Sequence, residues 1–152
     1  MSDFNGPGVY TIVPRHVDSK RLDVDDSDED NIRLQLYDPI TSGKQRYDQQ
    51  FMFAHLGNKE FFIISLKHGT YLTASDDEEQ LTSEVLPPVN RRIRWKLHPV
   101  GDGSGAFFIS SLAYPGKVID VQYGYDDNET AIIIYPPKED DNENQQFFLI
   151  SP

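Results

Sequence analysis

A chain of 152 residues with 38% apolar side chains, nine Phe and eight Tyr is long enough to bury one core, and points to a single domain over residues 1–152. The formal net charge of -11 argues against nucleic acid as a partner, because phosphate binding relies on clustered Lys and Arg. With no cysteine there is no disulfide framework, no thiol nucleophile and no Cys-based zinc site, and a reducing compartment fits. The opening "MSDFNGPGVYTI" has no basic segment followed by an apolar one, and no run approaches the roughly 18 apolar residues of a membrane span. The expectation is a soluble, cytoplasmic protein without membrane insertion.

No helical apolar period persists beyond a turn or two, while ten Gly and ten Pro interrupt short apolar runs, which predicts an all-β chain. In chain order, "GVYTIV" begins a strand near Val9, "RLDVDD" follows at Arg21, and "QQFMF" at Gln49 closes a first stretch. The same three landmarks return as "EFFIIS" near Phe61, "YLTASDD" at Tyr71 and "IRWKL" at Ile93. They return again as "AFFISS" near Phe107, "VIDVQYGYDD" at Val118 and "QQFFLI" at Gln145. The period is a third of the chain, which gives three repeats of about 45 to 50 residues near 8–58, 59–105 and 106–152.

Units of this size, each with about four short strands, cannot bury a core alone but can together close a barrel capped by hairpins. That is the β-trefoil pattern. Tyr10, Ile12, Leu22, Val24, Leu34, Leu36, Phe51 and Phe53 recur at strand spacing and are expected in the core. A β-sandwich would also give many short strands, but it does not predict threefold internal phasing.

Gln49-Gln50-Phe51 and Gln145-Gln146-Phe147 resemble the Gln-x-Trp repeat that ends each unit of the ricin-B-like β-trefoil lectins, and Ile93-Arg94-Trp95 keeps only its aromatic. With the Asp of "LDV" and "IDV" and the opening at Gly6 to Ile12, the chain resembles the small, cysteine-free, single-domain lectins of fungi. The resemblance covers the whole chain. It implies that an Asp just after the second strand accepts hydrogen bonds from two neighbouring sugar hydroxyls, and that an aromatic ring further on lies against the apolar face of a galactose-type ring. An Asn before the Gln-x-Trp motif would both donate to and accept from a hydroxyl, and the Gln would brace the loop from within.

In the third unit the resemblance places these roles on Asp120, Tyr135 and Asn144, with Gln145 as brace. In the first unit it places them on Asp23, Tyr37 and Asp48, with Gln49 as brace and Gln35 two positions before the aromatic. Asp48 stands where Asn is usual; a carboxylate only accepts, so a hydroxyl there would lose a donor, and two nearby acids would raise the pKa of one of them. In the middle unit the matching positions are Thr73, Leu86 or Pro87, and Arg94 with Ile93, which make no sugar site. Asp23 and Asp120 could equally cap turns, and Tyr37 and Tyr135 could be ordinary half-buried strand residues.

The acidic runs "DDSDED" at Asp25, "SDDEEQ" at Ser75 and "YDDNE" at Tyr125 fall in phase and are expected to be one hairpin loop repeated. They lack the glycine and glutamate spacing of a calcium loop, so no metal and no cofactor are expected. "NRRIR" at Asn90 could bind an anion but reads as a solvated strand face, and "GDGSG" at Gly101 reads as a turn. The four histidines are dispersed and no nucleophile motif is present, so no catalytic residue is assigned.

The resemblance therefore implies a fungal defence lectin for Gal- or GalNAc-containing glycans, with multivalency from two sites or a homodimer. Two other classes stay open. Cysteine-free fungal trefoils of this length include protease inhibitors, and "LPPVN" at Leu86 or "YPPKED" at Tyr135 would suit a stiff inhibitory loop. A degenerate trefoil could also serve as a protein-interaction scaffold.

Overall fold

A computed structural model describes residues 1–152. Its regular structure is strands and short 3₁₀ turns: β1 (Gly8–Pro14), β2 (Arg21–Asp25), β3 (Arg33–Tyr37), β4 (Phe51–Gly57), β5 (Glu60–Ser65), β6 (Tyr71–Thr73), β7 (Thr82–Glu84), β8 (Trp95–Pro99), β9 (Phe107–Ser111), β10 (Val118–Val121), β11 (Ile132–Tyr135) and β12 (Phe147–Ile150). The all-β expectation holds, and no helix is long and apolar enough to cross a membrane.

Antiparallel pairing runs β1 to β4, β4 to β5, β5 to β8, β8 to β9, β9 to β12 and β12 back to β1, which closes a barrel. Closure joins the two ends of the chain, with Thr11 opposite Ile150 and Ile12 opposite Leu149. A closed ring leaves no unpaired edge for another strand to extend. The remaining strands form hairpins β2–β3, β6–β7 and β10–β11. These meet one another through backbone bonds, Leu34 N–H to Leu81 O at 2.9 Å, Leu81 N–H to Ile132 O at 2.8 Å and Leu36 N–H to Thr130 O at 2.9 Å. Together they cap the barrel.

Alternation does the sorting. Along β5 every second residue is buried, so Phe61 and Ile63 face the core while Phe62 and Ile64 lie outside it. All eight side chains expected in the core from the first repeat are buried. Phe4 packs against Tyr10, Phe53, Phe61 and Phe107 with ring centroids 5.2 to 6.2 Å apart, so aromatic side chains brought by several strands meet around it. The single Trp, Trp95, is fully buried and donates its indole N–H to Leu72 O at 3.0 Å, which removes the cost of burying that donor. β4 and β5 are joined by Asn58 (φ 51) and Lys59 (φ 62), two successive left-handed residues as a type I′ hairpin requires.

The three acidic runs occupy the loops joining β2 to β3, β6 to β7 and β10 to β11, as their phase implied. "GDGSG" is the β8–β9 turn, with Gly101, Gly103 and Gly105 all at positive φ. One expectation is corrected: Arg91–Ile93 is a 3₁₀ turn started by the Asn90 side chain, and no strand face forms there. Arg92 donates to Ala74 O and Arg94 to Pro88 O, so the local carbonyls hold these guanidinium groups.

Candidate functional site

In the last third of the chain, β10 ends on Asp120 and Val121, β11 ends on Tyr135, and a 3₁₀ turn at Glu143–Gln145 leads into β12. Their meeting brings Asp120, Tyr135 and Asn144 together around a small cleft of 150 Å³. Asp120 is almost fully buried, and two amides hold its carboxylate: Gln145 Nε2 donates to Oδ2 at 2.9 Å and Asn144 Nδ2 to Oδ1 at 3.1 Å. Gln145 also donates to Pro136 O and accepts from Lys138 N–H, both at 3.0 Å. It ties β10 to the β11–β12 loop and is a brace in the literal sense.

Burial pushes the Asp120 carboxyl above its ordinary value, while the bond from Gln145, the charge of Lys138 and the bond from Asn144 pull it back. Each Oδ atom has spent one acceptor site on an amide and keeps another, so the carboxylate can receive two more donors. Tyr135 stands beside it, 37% exposed, and offers a ring face.

The reading of Asn144 needs correction. Its Nδ2 donates both to Asp120 and to Val121 O at 3.0 Å, so the two amide hydrogens are committed within the protein. Its Oδ1 accepts from Lys138 Nζ at 2.8 Å. The donor free to face a ligand is therefore the ammonium of Lys138, which also lines the cleft. Tyr123 adds a second ring at the cleft, exposed and in a left-handed backbone conformation (φ 58). Neither residue was singled out in the sequence, because each sits in a loop where no period marks it.

The first third of the chain builds the same frame. Asp23 ends up buried on β2, and Gln49 donates to its Oδ2 at 2.9 Å and to Asp38 O at 2.7 Å while accepting from Ile40 N–H at 2.9 Å. Gln35, directly opposite on β3, donates to Asp23 Oδ1 at 3.0 Å. It supplies the amide hydrogen that Asn144 supplies to Asp120, so the replacement of Asn by Asp48 leaves no gap at the aspartate. Tyr37 is 36% exposed, matching Tyr135. The cleft is larger, 470 Å³.

Its electrostatics differ sharply. The Asp23 carboxyl is pushed up to about 6, chiefly by burial and further by the charges of Asp48 and Asp26, with Gln35 and Gln49 opposing. The expected repulsion from Asp48 is present but secondary to burial. Lys67, unmarked in the sequence, stands 2.7 Å from Asp26 and 2.8 Å from Asp48 Oδ1, and these carboxylates push its own pKa up to about 12. Its contact with Asp48 is close but off the hydrogen-bonding direction, an ion pair without an aimed bond. Asp26, Asp48 and His68 bring ligand atoms within 4.8 Å of one another, yet the Lys67 ammonium already stands against both of these carboxylates.

In the middle third the aspartate position is Thr73, whose hydroxyl turns back to Tyr71 O at 2.8 Å, and the brace position is the buried, apolar Ile93. No carboxylate frame forms there.

A closed barrel capped by hairpins, with aspartates braced by glutamines, defines a class. The family model described as ricin-type beta-trefoil lectin domain-like matches residues 47–135, and the chain belongs to that family. Solved structures agree in fold. The designed 3-fold symmetric protein ThreeFoil superposes with a TM-score of 0.81 at 22% identity, over 95% of this chain and 99% of that one. The Macrolepiota procera ricin B-like lectin, in complex with lactose, gives 0.79 at 19% identity, over 99% of this chain and 100% of that one. The Rhizoctonia solani agglutinin gives 0.74 at 19% identity, with 100% of both chains covered. A sequence search of curated proteins finds no match.

Proposed function

We propose that this protein is a lectin for Gal- or GalNAc-containing glycans, binding them reversibly without catalysis, metal or cofactor. The observation that carries the reading is Asp120: a buried carboxylate fixed by two amides, with two acceptor sites still free, beside the exposed ring of Tyr135. Two neighbouring hydroxyls of one sugar can each donate to such a carboxylate, while the sugar's apolar face covers the tyrosine. Family membership supports carbohydrate binding, and the lactose complex of the Macrolepiota procera lectin supports a galactose-type ligand.

We assign Asp120, Tyr135, Asn144 and Gln145 to the third-unit site and Asp23, Gln35, Tyr37, Asp48 and Gln49 to the first, with unit boundaries near 58/59 and 105/106. Single shallow sites of this kind bind at about millimolar Kd, so useful binding rests on two sites per chain or on a homodimer. A fungal, cytoplasmic, defensive role belongs to the same proposal and rests on the family resemblance. The test is a glycan array with the protein and its Asp23→Ala/Asp120→Ala double variant. Signal on Gal- or GalNAc-terminated glycans that the double variant loses is expected; a blank array with folded protein overturns the reading.

One observation favours a second reading, protease inhibition. Val85 and Val89 are 74% and 81% exposed on either side of Pro87-Pro88, an apolar loop held out from the barrel. Nanomolar inhibition of a papain-like or trypsin-like protease, with no glycan binding, would move the function to that loop.

A further inference from the structure

The two clefts share a frame, so their differences can be compared position by position. Asn144 is replaced by Asp48, each just before its brace glutamine. Lys138 is replaced by Ile40, each giving its backbone N–H to that glutamine. Tyr123 is replaced by Asp26, each three positions after the central aspartate. The ligand-facing ammonium and one of the rings are therefore gone, and two carboxylates have been added. Glu129 lines the first cleft as Glu78 lines the third, and Asp25 adds one more carboxylate to the first.

Lys67 stands against Asp26 and Asp48, and the His68 ring meets Asp26 at 3.1 Å, while Asp23 and Glu129 have no basic partner. Asp48 is 8% exposed, and no hydrogen-bond donor is aimed at its Oδ1. The neutral donors lining the cleft are the hydroxyls of Ser27 and Tyr37 and the amides of Gln35 and Gln45, set against five carboxylates, Asp23, Asp25, Asp26, Asp48 and Glu129. A cleft in which carboxylates outnumber the positive charges beside them suits a ligand that brings N–H donors and positive charge.

We propose that the first-unit cleft binds a hexosamine with a free ammonium group, such as galactosamine or glucosamine, in preference to its neutral or N-acetylated counterpart; this rests on the carbohydrate reading of the cleft above. An ammonium offers three donors and no acceptor, and Asp23, Asp26 and Asp48 present only acceptors. N-acetylation removes the charge and adds a carbonyl that needs a donor, the role Lys138 can fill in the third cleft and Ile40 cannot fill here. Tyr37 supplies the ring face that distinguishes a sugar from a bare cation.

The experiment is an NMR titration of the Asp120→Ala variant, whose third cleft is silenced, at neutral pH and low salt. Galactosamine, galactose, N-acetylgalactosamine, ethanolamine and calcium are added in separate series. Galactosamine should bind at least about tenfold more tightly than either neutral sugar, weaken as salt is raised, and lose its advantage in Asp26→Asn/Asp48→Asn. Unfolding followed by Trp95 fluorescence shows that the variants remain folded. Equal affinity for galactosamine and galactose, ethanolamine or calcium binding as tightly as galactosamine, or no galactosamine binding would each overturn the proposal. The broader reading is judged separately: Asp120-dependent galactose binding by the unsubstituted protein keeps the lectin assignment whichever way this preference falls.

Discussion

Asp23 and Asp120 are each 3% exposed, each on the first strand of a hairpin, and each held through Oδ2 by a glutamine from the loop before a barrel strand. Around them the clefts diverge. The third has a lysine, a glutamate, an asparagine and two tyrosines; the first has a cluster of acids with Lys67 against two of them. The lesson is that the frame and the rim are separable. The frame is a buried hydrogen-bond network that tolerates little change, while the rim is exposed and can go from balanced to strongly negative charge without touching the fold.

Substitutions in the frame should have the largest effects. Asp120→Ala should reduce galactoside binding at the third cleft by about 100-fold or more, since two charge-assisted bonds of about 1.5 to 3 kcal/mol each are lost. Titration with lactose checks it, and near-normal affinity would remove Asp120 from the site. Gln145→Ala and Gln49→Ala should each cost about 3 kcal/mol of stability, because each leaves a buried carboxylate, a carbonyl and an N–H without a partner. Urea unfolding monitored at Trp95 reads both values. A large cost in one unit alone would show that the two frames are not equivalent.

The rim effects are smaller. Lys138→Met should weaken galactoside binding at the third cleft about tenfold, and it should raise the pH below which that binding fades, because Lys138 helps to pull the Asp120 carboxyl down. A pH series on the variant and the parent protein separates this from a purely structural loss. For Asp23, the folded value of about 6 lies above the ordinary 3.8, so folding favours its protonated form. Its contribution to stability is complete below pH of about 4 and is lost as pH rises through about 6. The melting temperature of the protein minus that of Asp23→Asn should fall across this window; a difference that rises would reverse the sign of the shift. The smallest effect belongs to Asp48→Asn, which should strengthen galactose binding at the first cleft only about threefold, because Gln35 already provides the amide hydrogen that Asp23 needs.

Much of this was legible from residue order. Tyr10, Ile12, Leu22 and Leu36 alternate with polar residues, and period-two patterning in a chain without long apolar runs leaves few alternatives to short strands. Gln49 and Gln145 were legible as braces because each repeats the same motif before an apolar strand. Asn144 lines the cleft, but its bonding was not legible, since the choice between donating to a ligand and donating to Val121 O depends on where a distant backbone carbonyl falls. Lys67 and Lys138 were invisible for a related reason. A lysine in a loop carries no periodic signal, and its role is set by which carboxylate or amide it meets after folding.

The all-β character, the recurrence of the aspartate and glutamine landmarks and the core residues are written in the residue order, because strand patterning and hydrophobic burial are local and additive. Folding settles the rest: Lys67 ion-pairs with Asp26 and Asp48, Gln35 stands in for a missing asparagine, and Lys138 faces the third cleft. Those outcomes depend on contacts between charged or polar groups on separate elements. Electrostatic and hydrogen-bond energies turn on distances and directions that no linear spacing encodes.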